Sequence, residues 1–144
     1  MMFRYLTKYI QIACLSLVLI LLLPACESQN IVVSEIEFFI AKEWKIKAVF
    51  QDGEPVTDTD LTSYRLILNE DFTFKRTYFD GQTTNGTWQL TSGLTQLLLY
   101  VNEPQEERWL LLDLEVRRLE MRLLQNPSKP QLDIRYVLEP VKGQ

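Results

Sequence analysis

Arg76-Thr77-Tyr78 is the sharpest chemical feature of this chain. Two residues apart on an extended segment, Arg76 and Tyr78 share one face, and Phe72 and Phe74 lie on that same face. A guanidinium taken out of water needs an anionic partner. An arginine beside a phenol hydroxyl could therefore receive the carboxylate of a bound molecule. The competing reading places Arg76 at a rim, where its stem packs and its head reaches water. Tyr64 and Trp88 also fall on apolar faces, so the candidate ligand-binding set is Arg76, Tyr78, Trp88 and Tyr64.

The remaining chemistry is narrow. The chain has no histidine, which removes Ser-His-Asp and Cys-His nucleophile systems and metal sites built on imidazole. Asp52, Glu54, Asp58 and Asp60 could gather Ca²⁺ through oxygen ligands. They lack an EF-hand spacing and read more simply as a solvated acidic loop. Asp113/Glu115 and Glu106/Glu107 are carboxylate pairs of the kind glycosidases use. Without a cleft to raise one pKa, they read as surface or turn residues. Asn85-Gly86-Thr87 fits a glycosylation acceptor but reads as turn chemistry. The expectation is a domain that is not an enzyme and carries no cofactor or metal.

The first residues bear on where such a domain works. Arg4 and Lys8 precede Ile10–Leu23, fourteen residues interrupted only by Gln11 and Ser16 among the clearly polar types. A positive start, a short apolar run and a small-residue cleavage site make a secretory signal. As a permanent membrane helix the run would reach roughly 21 Å, against a hydrocarbon core of about 30 Å, and Pro24 ends it. Leu23-Pro24-Ala25-Cys26 resembles the lipobox of bacterial lipoproteins, with Pro24 an unusual occupant. The resemblance implies cleavage after residue 25 and a diacylglycerol-bearing thiol at Cys26 as the new N-terminus. The partner would then be a membrane, held through acyl chains at ~0.8 kcal/mol per buried CH₂. The location would be the outer or inner membrane, with the domain in the periplasm or at the cell surface.

Without residues 1–25, which include Arg4, Lys8 and Cys14, 119 residues remain, with 13 basic against 19 acidic side chains. A net charge of −6 argues against nucleic acid and against adhesion to anionic lipid through charge. No disulfide is available, so a core must hold the domain. Residues 26–33 read as a tether, 34–140 as the domain and 141–144 as a tail.

The elements that must position Arg76 and Tyr78 are short strands. Ser34 and Glu37 form a capping box that opens a helix to about Lys42, with Ile36, Phe39 and Ile40 on one face. From Trp44 the period becomes two: Trp44, Ile46 and Phe50 point inward. Alternation continues through Tyr64-Leu66-Leu68, Phe72-Phe74, Trp88-Leu90, Leu110-Leu112-Leu114, Leu119-Met121-Leu123 and Ile134-Tyr136-Leu138. Trp109 then faces outward unless its strand shifts by one residue, and Tyr100 faces outward too. Asp80-Gly81, Asn85-Gly86 and Ser92-Gly93 mark turns. Eight short strands with hairpin-length connections are antiparallel neighbours. They close most naturally into an eight-stranded up-and-down barrel; a two-sheet β-sandwich is the alternative.

Glu43-Trp44-Lys45, the Leu66–Phe74 segment, Gly86-Thr87-Trp88-Gln89-Leu90, the Leu114-to-Leu119 spacing and Tyr136-Val137-Leu138-Glu139-Pro140 resemble the lipocalin-like domains of small bacterial lipoproteins. The resemblance covers residues 40–140. Glu43 and Phe72 stand where that family usually has glycine. It implies an eight-stranded barrel with a small hydrophobic or amphipathic ligand, or an envelope protein, as partner. Fatty-acid carriers use an Arg-x-Tyr pair for a carboxylate, although on their last strand. The arginine that lipocalins stack on the first-strand tryptophan would correspond to Arg135, which here falls on the outward face. The interior could be filled by its own side chains or hold one ligand. The outward apolar residues Ile67, Leu98, Tyr100, Trp109, Leu111 and Val137 would favour a filled barrel acting as an interaction or inhibitor module.

Overall fold

A computed structural model describes residues 35–91, 93–128 and 132–142, all within one compact unit, Val33–Gln144. Cys26 and the signal and tether segments lie outside the described residues, as does Ser34. Among the described residues, no helix is long and apolar enough to cross a membrane.

A single helical turn and a half, α1 (Glu35–Ile40), leads directly into the sheet. Ile40 is fully buried and Ile36 partly so, whereas Phe38 and Phe39 are 62% and 46% exposed. The expected helical face is therefore only half used. Nine strands follow: β1 (Glu43–Gln51), β2 (Glu54–Pro55), β3 (Arg65–Leu68), β4 (Thr73–Thr77), β5 (Thr83–Leu90), β6 (Gln96–Leu99), β7 (Glu107–Glu115), β8 (Arg118–Gln125) and β9 (Ile134–Pro140). Strands β3 through β9 pair antiparallel in sequence order, β1 joins β3, and β9 pairs back onto β1. The ring thus contains eight strands in a closed up-and-down barrel, with the two-residue β2 appended outside it. Closure removes the two free edges that a β-sandwich of the same strands would expose.

The turns follow residue chemistry. Asp52 and Gly53 both adopt positive φ (52° and 85°) and join β1 to β2 with Gln51 opposite Glu54, the two-residue mirror-image turn that Asp-Gly favours. Phe72, in the β3–β4 turn, also has φ 62°. A side chain pays for that conformation in strain, which explains a preference for glycine there. The turn is held all the same. Phe72 N–H donates to the Asn69 carbonyl, Thr73 N–H donates to the Asp71 carboxylate, and the Phe72 ring packs 5.2 Å from Trp88.

Three departures from alternation correct the expected facing. A bulge between Ile46 and Ala48 turns Val49 inward and leaves Phe50 on the outer wall, where the Arg135 guanidinium lies 4.1 Å from its ring centre. Arg135 thus stacks on Phe50 rather than on Trp44. A second bulge, between Leu111 and Asp113, separates the two halves of β7. Below it Leu114 packs against the core; above it Trp109 is buried, Leu110 is only partly so, and Leu112 is 46% exposed. Counting back from Leu114 by twos gives the wrong face because one extra residue intervenes. Third, Tyr100 has φ 58°. That left-handed residue swings its side chain inward directly after inward Leu99, so both are buried.

Asn85-Gly86 is not a turn. Both residues lie inside β5, with Gly86 opposite Phe74. An added Cβ at Gly86 would come within 2.8 Å of both the Phe74 and Tyr100 rings. Glycine is required there because two aromatic rings close over its backbone.

Candidate functional site

The barrel interior has two unlike ends. At the end where β1 begins, Trp44, Leu66, Leu68, Trp88, Leu119 and Leu138 are almost wholly buried, and Ile40 of α1 joins them. The Trp44 indole donates to the Ile40 carbonyl at 2.9 Å, tying α1 to the core. This half is filled. The opposite end opens into a cavity of about 610 Å³, within the range of small-molecule sites. The interior is therefore neither wholly packed nor wholly hollow.

At the cavity's inner wall sits a buried ion pair. Arg76 on β4 is 2% exposed and Glu107, the first residue of β7, 6%. Arg76 Nη1 lies 2.6 Å from Glu107 Oε2, and Nη2 lies 3.0 Å from Oε1. Arg76 also donates to the hydroxyls of Tyr78 and Tyr100, with its guanidinium 4.5 Å from the Tyr78 ring centre. Glu107 accepts further bonds from the Trp109 indole (3.1 Å) and the Asn126 amide (2.9 Å). The Tyr100 hydroxyl in turn donates to Thr84 at 2.7 Å. Burial alone would pull the arginine toward neutrality. The hydrogen bonds that Arg76 donates to Glu107, together with that carboxylate's charge, outweigh it and hold the guanidinium charged.

Aromatic rings form the apolar side. Trp109 and Tyr136 approach to 4.9 Å between centres, and Phe79 lies 6.3 Å from Tyr136. Thr83, Asn85, Gln105 and Ser128 give the mouth a polar edge. Burial pushes the Tyr136 hydroxyl up to about 12, and burial likewise raises Tyr64 and Tyr78. Two deeply buried polar atoms have no partner among the described residues, the Tyr64 hydroxyl and Arg76 Nε.

Of the four candidate residues, Arg76 and Tyr78 line the cavity. Tyr64 lies beneath it, its ring 5.2 Å from Phe79 and 5.5 Å from Tyr136. Trp88 belongs to the filled half, where its indole donates to the Asn69 carbonyl; it does not line the cavity. The rim position for Arg76 is overturned, since the whole side chain is buried. So is the surface reading of Glu107. Glu107 and Tyr100, with Trp109, Tyr136, Thr84 and Asn126, belong to the site and are absent from the four candidates. Glu107 had a signal: it shares a face with Trp109, two residues on, once Trp109 is taken as inward, and a buried Arg76 requires an anion. Tyr100 had none, because alternation cannot reveal a left-handed residue.

Asp113 pairs with Arg118 and Glu106 with Arg108 on the outer surface. Among the described residues, no group of three or more potential ligands gathers to hold a metal.

No family model matches this chain, and no curated protein does. Among solved structures, the chain is similar to a lipocalin-like protein from Bacteroides uniformis. The match has 15% identity and a TM-score of 0.48, covering 72% of this chain and 99% of that one. The barrel itself rests on the strand order and its β1–β9 closure.

Proposed function

We propose that this chain is a lipid-anchored envelope protein whose barrel binds a small amphipathic molecule in the cavity opposite α1. The supporting observation is the division of the interior. One end is packed, while the other opens to solvent through a cavity of about 610 Å³ between an aromatic wall and a hydrogen-bonded polar one. A domain that needed only stability would fill that space with side chains. The anchored location rests on the sequence of residues 4–26 alone.

The competing interaction-module reading leans on six outward apolar residues, and two of them, Tyr100 and Trp109, are buried. The other four are only partly exposed.

Two measurements test the proposal. Mass spectrometry of the protein extracted from membranes should find an acylated N-terminal Cys26; an intact, unacylated Met1 would remove the anchor. Titrating residues 33–144 with N-phenyl-1-naphthylamine, an uncharged amphipathic dye, should give saturable one-to-one binding that quenches Trp109. Unsaturable, Trp109-independent uptake would remove the binding function.

A further inference from the structure

We infer that the cavity selects uncharged ligands and rejects carboxylates, because Glu107 already occupies the anion position that Arg76 offers. The inference rests on the ligand-binding reading above and narrows it to a chemical class.

A planar guanidinium presents its donors as a fork that fits one carboxylate. In this barrel both terminal nitrogens of Arg76 are taken by the two oxygens of Glu107. The remaining direction of Nη2 is taken by the Tyr78 and Tyr100 hydroxyls. Glu107 is equally committed. Its oxygens receive Arg76 twice, the Trp109 indole and the Asn126 amide, close to the four acceptor sites that a carboxylate has. The pair is thus internally neutral, and the one Arg76 nitrogen without a partner among the described residues, Nε, is buried. An entering carboxylate would meet a negative charge with its cation already used, in surroundings where burial weakens screening. It could bind only by expelling Glu107, which would leave that carboxylate buried without its cation. An entering ammonium meets the mirror-image problem at Arg76.

An uncharged molecule meets neither. Its apolar body has the Trp109–Tyr136 wall to lie against. A hydroxyl or carbonyl on its edge can reach the Tyr78, Tyr100 and Thr84 hydroxyls, which Arg76 polarises at one end of the chain of bonds. The Arg-x-Tyr pair therefore serves as an internal brace that orients hydroxyls, and not as the receptor for a fatty-acid headgroup.

The test compares 2-naphthamide with 2-naphthoate, molecules of nearly equal shape that differ in charge. Equilibrium dialysis against the full-length protein in lipid nanodiscs, with empty nanodiscs as reference, reads the affinity ratio. The wild type should hold the amide at least tenfold more tightly than the acid. Glu107→Gln, which frees the Arg76 charge, should reverse the preference. Thr84→Val leaves the ion pair whole and should weaken the amide without strengthening the acid; it serves if the Glu107 variant fails to fold. Equal or tighter binding of the acid by the wild type would overturn the inference while leaving ligand binding standing. Absence of Trp109-dependent binding for both probes would overturn the binding function itself.

Discussion

The two halves of the barrel interior are built by different rules. The filled half, around Trp44, Leu68, Leu119 and Leu138, follows strict alternation, and its largest groups are almost wholly excluded from water. The open half breaks the rules repeatedly. It has a bulge in β1, a bulge in β7, a left-handed tyrosine and a buried ion pair. The β7 bulge and the left-handed Tyr100 bring Glu107, Trp109 and Tyr100 to the cavity, whereas the β1 bulge turns Phe50 to the outer wall. Strain and buried charge persist only where the surroundings over-determine them. Strain occurs in the filled half too, where Phe72 holds φ 62° against Trp88, whereas the buried Arg76–Glu107 pair lies at the open end.

The sharpest way to break this comparison is to open the ion pair. Arg76→Ala leaves Glu107 buried without its cation and is expected to cost about 3–5 kcal/mol, read as a lower urea midpoint. The paired replacement Arg76→Met with Glu107→Leu should recover most of that loss, because it removes the desolvated charges together. A midpoint unchanged in the single variant would show that water already satisfies the pair.

In the filled half, Leu138→Ala should cost about 2–5 kcal/mol through the cavity it leaves. It should not alter affinity for a cavity ligand. A change in affinity would show that the two halves are mechanically linked.

Gly86→Ala should cost about 1–3 kcal/mol, since the Phe74 and Tyr100 rings must move from their present positions. Here the effect should spread to binding, as Tyr100 bonds both Arg76 and Thr84. Stability loss with affinity untouched would mean that the Tyr100 hydroxyl has no part in the site.

Alkaline pH should weaken the open half selectively. Tyr136 ionises at 10.0 when unfolded and at about 12 when folded, chiefly because burial disfavours the phenolate. A raised pKa means that its stabilising contribution is complete below pH 10 and is lost as pH rises through 12. The slope is at most about 1.4 kcal/mol per pH unit for one such group. Tyr136→Phe should flatten the decline of the urea midpoint across that window. An identical decline in the variant would assign the effect to other groups, Tyr64 first.

How much of this was legible in the residues follows the same division. The barrel, its eight strands and the inward faces of Trp44, Leu66, Leu68, Leu119 and Leu138 follow from period two and turn residues. Arg76 and Tyr78 are placed together by spacing alone. The errors cluster where a single residue breaks the period: Leu112 in β7 hides Trp109 and Glu107, and the region of Lys47 in β1 misplaces Phe50. Asn85-Gly86 misleads because the glycine is needed for ring packing and not for a turn. Phe72 shows the reverse: a turn that favours glycine accepts phenylalanine, since its ring finds Trp88.

The most direct test of the account separates stability from binding at the polar end. In the stable double variant Arg76→Met with Glu107→Leu, titration with 2-naphthamide should show binding at least tenfold weaker than wild type, because the Tyr78 and Tyr100 hydroxyls lose their anchor. A folded double variant that binds the amide as tightly as the wild type would contradict the assignment of this ion pair to ligand recognition.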